Sequence, residues 1–86
     1  MNRDTKVGEL QRLKRERLRL AVEIDSTVKS ILYHFDPMDD DLSYVRKLDP
    51  VKLEIWMNAI ARKKQDYDKV AKRIEALAEE LNESAD

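Results

Sequence analysis

The sequence predicts an all-α fold: two long amphipathic helices folded back on each other as an antiparallel, coiled-coil-like hairpin, with a short helix in the connector. Three observations carry this. Two stretches of about thirty residues place apolar side chains three or four apart, the helical period. An Asp-Pro step follows the first stretch and another precedes the second. The chain also begins basic and ends acidic.

The first helix is expected over 5–35. Its stripe runs Val7, Leu10, Leu13, Arg17, Leu20, Ile24, Val28, Ile31 and Phe35. The spacing is heptad-like as far as Ile24 and then slips by one residue, which locally changes coiling. The slip coincides with Asp25-Ser26-Thr27, three poor helix formers. Both a continuous helix with a bend there and a break into two helices fit the pattern. Asp36-Pro37 ends the helix, because proline has no N–H to continue the ladder.

The connector, 36–48, starts acidic and ends basic, with Leu42, Val45 and Leu48 three apart. That arrangement suits the helix dipole and predicts a short middle helix. The second helix is expected over 50–82. Asp49 can cap it and Pro50 suits its first position. Leu48 and Leu53 can form a hydrophobic staple. The stripe is then a regular heptad: Leu53, Trp56, Ile60, Lys63, Tyr67, Val70, Ile74, Leu77 and Leu81, with Lys63 alone polar. Residues 83–86 are expected to fray. One domain covers 1–86.

Charge decides the pairing direction. Residues 1–20 hold seven bases against three acids, a balance of +4, and residues 75–86 hold five acids and no base. An antiparallel hairpin lays these stretches side by side. Each ion pair contributes little, but together they select the register.

Size and stripe width point to self-association. Eighty-six residues make a small core, and the absence of cysteine removes disulfides as a support. Each apolar stripe projects over roughly 160°, wider than one neighbouring helix covers. Met57, Ala59, Ala71 and Ala78 widen the second. A second copy would complete a four-helix bundle. The expected self-association or partner face comprises Leu10, Leu13, Leu20, Ile24, Trp56, Ile60, Tyr67, Val70, Ile74 and Leu77. Arg17 and Lys63, at core positions, either lie with their stems along the seam or form a polar layer that fixes register.

The aromatic residues gather at the hairpin head. Phe35, Tyr44 and Trp56 there either plug the core or present a binding surface.

Catalytic, metal and cofactor signatures are not found. The sole histidine, His34, is paired with no acid or nucleophile in the sequence. The acidic run Asp36, Asp39, Asp40 and Asp41 lacks the glycine and distal glutamate of a calcium loop. No run of 18 apolar residues or secretory segment is present, and the net charge is −1. The expected protein is therefore cytoplasmic, not an enzyme, without cofactor, metal or membrane partner.

Its expected role is a small non-catalytic protein–protein interaction module: an adaptor, regulator or assembly subunit, homodimeric, with an unidentified protein partner. The alternative is a nucleic-acid-associated accessory protein using the basic face of the second helix. Arg62, Lys64, Lys69, Lys72 and Arg73 would then contact phosphates. Type III secretion needle subunits have a similar proline-bearing turn, echoed here by Asp49-Pro50. That resemblance covers a few residues and implies no function.

Overall fold

The structure, a computed structural model, describes residues 3–35, 42 and 44–86. Three helices follow in order: α1 (Arg3–His34), α2 (Tyr44–Lys47) and α3 (Pro50–Leu81). No strand occurs among the described residues. The acidic run of the connector lies outside them.

Helix α1 and helix α3 are each 32 residues long and pack on each other as a hairpin. The molecule measures 61 × 22 × 15 Å. Its shortest dimension is little more than one helix diameter. The radius of gyration is 18.5 Å, against about 12 Å for a compact chain of this length. The accessible surface is 6730 Å², whereas a compact protein of this mass would expose roughly 5,300 Å².

The local signals at α3 act as the sequence suggests. The Asp49 carboxylate accepts hydrogen bonds from the N–H groups of Val51 (3.1 Å) and Lys52 (3.2 Å). These satisfy two donors that no helical carbonyl reaches. At the other end Asn82 is left-handed, with φ 57°. Its N–H donates to Glu79 O at 3.2 Å, and Glu83 N–H to Ala78 O at 2.8 Å. This paired pattern closes the last turn and satisfies its carbonyls.

Helix α1 continues unbroken through Asp25-Ser26-Thr27. The hydroxyls of Thr27 and Ser30 donate to the carbonyls of Glu23 and Ser26 one turn back, each at 3.1 Å. These bonds satisfy the hydroxyls while the backbone ladder continues, at a slight cost to helix stability. Lys29 also pairs with Asp25 at 2.9 Å, one turn apart.

The antiparallel charge pairing is realised. Arg3 meets Glu83 at 2.9 Å, Lys6 donates to Glu80, and Arg73 reaches Glu9 at 3.3 Å. The first two join the basic start of α1 to the acidic C-terminal segment, and the third runs the other way, from a base of α3 to an acid of α1.

The tightest packing lies at that same end. Leu10, Leu13, Ile74, Leu77 and Leu81 form the buried cluster, with Val7, Val70 and Ala85 packed against it. Residues 82–86 do not extend away from the helix as a frayed end. Lys14 Nζ donates to Ser84 O at 2.8 Å and an Arg17 guanidinium N–H to Ala85 O at 2.9 Å. The tail therefore lies back across α1, seating the Ala85 methyl on the core.

The head is closed differently. The rings of His34 and Phe35, His34 and Trp56, and Phe35 and Tyr44 meet edge-on at 5.6–5.9 Å. Such edge contacts are favourable beyond the area they bury. Phe35, Tyr44 and Trp56 are each half-buried, while Tyr33 points outward. The Asp49 N–H donates to His34 Nε2 at 3.2 Å. The sole histidine thus ties the end of α1 to the cap of α3.

A candidate interaction face beside the helix seam

Along α1, Leu18, Ala21, Asp25, Val28 and Leu32 follow at intervals of three and four. They form a second stripe, rotated away from the one that faces α3. Leu18 is 65% exposed, Leu32 58% and Val28 39%. Where this stripe meets α3, an open groove of about 340 Å³ is lined by Ala21, Ile24, Asp25, Val28, Lys64 and Tyr67. The small Ala21 side chain leaves the groove between larger neighbours. Across the groove, Ala71 continues the α3 wall one turn beyond Tyr67.

The rim of the groove is charged but balanced. Asp25 is paired with Lys29 on α1, and Lys64 with Asp68 on α3. The Asp25 carboxylate holds the Lys29 ammonium above its ordinary pKa. Lys64 also lies 5.4 Å from the centre of the Tyr67 ring, within cation–π range.

The opposite side of the seam is closed by polar contacts. Lys63 Nζ donates to Glu23 at 2.7 Å, and the Arg19 guanidinium donates to both Glu16 and Glu23. Lys63 lowers the Glu23 pKa through this bond, with Arg19 adding its charge. Arg19 likewise lowers Glu16. At the far end, Lys6 lowers Glu80.

The residues expected to form a partner face divide into two groups. Leu10, Leu13, Leu20, Ile74 and Leu77 are buried within the hairpin itself. Ile24, Trp56, Ile60, Tyr67 and Val70 keep partial exposure. Of these, Ile24 and Tyr67 reach the groove. Sequence reasoning did not single out Leu18, Ala21, Val28 and Leu32 as one exposed stripe. The signal was present in their spacing.

Arg17 and Lys63 sit at different levels of the seam. Arg17 holds the tail at Ala85, and Lys63 holds Glu23. They do not share a polar layer with each other.

The basic residues of α3 are similarly divided. Lys64 and Arg73 are engaged by Asp68 and Glu9. Arg62, Lys69 and Lys72 are exposed, and Arg62 borders a smaller depression with Ile55, Asn58 and Ala59. Among the described residues no group of three or more histidine or carboxylate side chains is placed to hold a metal ion. None of the described helices is long and apolar enough to cross a membrane. Compared with known protein families, curated proteins and solved structures, the chain matches none of them.

Proposed function

We propose that this protein is a small non-catalytic protein–protein interaction module of the cytoplasm, an adaptor, regulator or assembly subunit. It works as a homodimer whose two hairpins make a four-helix bundle. The observation that carries the reading is the single-layer hairpin with an open apolar stripe. Domains ordinarily bury the apolar faces of their helices against a second layer. Here the stripe of Leu18, Val28 and Leu32 has none of the described helices over it. The chain also exposes 6730 Å², some 1,400 Å² more than a compact protein of its mass. A standard interface removes about 800 Å² from each partner, so the surplus is large enough to supply one.

Sedimentation equilibrium over a wide concentration range tests this, with and without a short oligonucleotide. A dimer mass that the oligonucleotide leaves unchanged is the expected result. A monomer at every concentration would remove self-association from the reading. A mass increase with oligonucleotide that salt abolishes would favour phosphate contacts at Arg62, Lys69 and Lys72 instead.

A further inference from the structure

We infer that the Leu18–Leu32 stripe is the dimer seam, covered by a second copy of this chain with both hairpin heads at the same end. The inference rests on the self-association reading above and assigns it a face and an orientation.

The extent of the open surface comes first. Lys14 continues the stripe one turn before Leu18. At that level the chain's own tail crosses α1, through the Lys14 and Arg17 bonds to the carbonyls of Ser84 and Ala85. The far end of this side is therefore covered from within. The part left open runs from Leu18 to Leu32, about 21 Å at the helical rise. Its midpoint is Asp25, and Lys64 stands across the groove from it.

Charge then selects the occupant. Asp25 and Lys29 balance on one wall, and Lys64 and Asp68 on the other. A strongly basic or acidic partner would meet no net opposite charge. A second copy brings the same balanced set, with Asp25 of one wall and Lys64 of the other nearest the groove.

The same charges select the orientation. Two hairpins stack face to face by a two-fold axis lying in the plane between them. If that axis runs along the helices, α1 of one copy lies over α3 of the other. Asp25 of each copy then faces Lys64 of the other, and all neighbouring helices are antiparallel. If the axis runs across the helices, α1 lies over α1. With the axis at the midpoint of the stripe, Asp25 would then oppose Asp25, and Lys64 would oppose Lys64, which like charges disfavour. The first arrangement follows.

The experiment is sedimentation equilibrium on purified wild-type chain and variants, with circular dichroism to confirm that each variant keeps its helices. Ala21→Glu and Val28→Glu place a carboxylate in the seam, and each is expected to give monomer. Ile55→Glu, away from the groove, is expected to leave the dimer intact. Asp25→Lys is expected to weaken dimerisation at least about tenfold, since like charges then face across the seam. The double variant Asp25→Lys with Lys64→Asp restores the attraction and is expected to recover the dimer.

A wild-type monomer would overturn both this assignment and the self-association reading. A wild-type dimer broken by Ile55→Glu but not by Ala21→Glu or Val28→Glu would leave that reading standing and overturn the face. A double reversal that stays monomeric, while Ile55→Glu dimerises, would overturn the orientation.

Discussion

The cluster around Ile74 should carry far more stability than the apolar residues near the head, and two isoleucines on one helix test this. Ile74 is fully buried among Leu10, Leu13, Leu77 and Leu81. Ile55 is 60% exposed. Replacing either by valine removes one methylene and keeps the β-branched shape, so helix propensity hardly changes. At Ile74 the loss combines burial with a small cavity, about 1 kcal/mol within the usual 0.5–1.5 range. At Ile55 the methylene is largely in water already, and the cost should stay below about 0.4 kcal/mol. Urea unfolding followed by far-UV circular dichroism reads the difference. With a slope near 1 kcal/mol per molar, expected for a chain this small, the Ile74→Val midpoint falls by about 1 M. The Ile55→Val midpoint moves by less than half of that. Both must be measured at one protein concentration, because any association adds to apparent stability. Equal shifts, or a larger shift at Ile55, would mean that the core does not lie at the end where the chain termini meet.

Three further outcomes follow from local features. Asp49→Ala removes the acceptor for two backbone N–H groups, and should cost about 1 kcal/mol in the same urea assay. Asn82 holds a left-handed turn, so Asn82→Gly should stabilise by a few tenths of a kcal/mol, whereas Asn82→Ala destabilises. Glu23 and Glu80 have pKa values below the ordinary 4.5, through hydrogen bonds from Lys63 and Lys6. A carboxylate depressed on folding contributes stability that is fully present above its unfolded pKa. That contribution is lost as pH falls through the folded value. Stability should therefore decline as pH drops below 4.5, and Glu23→Gln should flatten that decline. A pH series of thermal melts checks it, and added salt should shrink the effect because these groups face solvent.

Much of this architecture is legible in the residues. The 3.6-residue period, Asp49 with Pro50, and Asp36-Pro37 mark the long helices to within two residues at each boundary. The opposite charges of the first and last segments fix the hairpin's direction, because only antiparallel pairing brings Arg3 and Lys6 to Glu83 and Glu80. Both features are local or summed over whole segments, and a sequence records such quantities directly.

What covers each helix face is a different kind of fact. Arg17 has the spacing of a seam residue, but its guanidinium is held by the carbonyl of Ala85, 68 positions away. His34 has no partner in sequence, yet it accepts the N–H of the residue that caps the other helix. Periodicity places a side chain around its own helix axis. It does not say whether the space beyond is filled by α3, by the returning tail or by water. Leu10 and Leu18 are both leucines of α1, and one is buried while the other is mostly exposed. The sequence by itself determined the helices, their ends and their antiparallel pairing. Only the tertiary structure decided which stripe was closed, because closure depends on distant segments meeting in space.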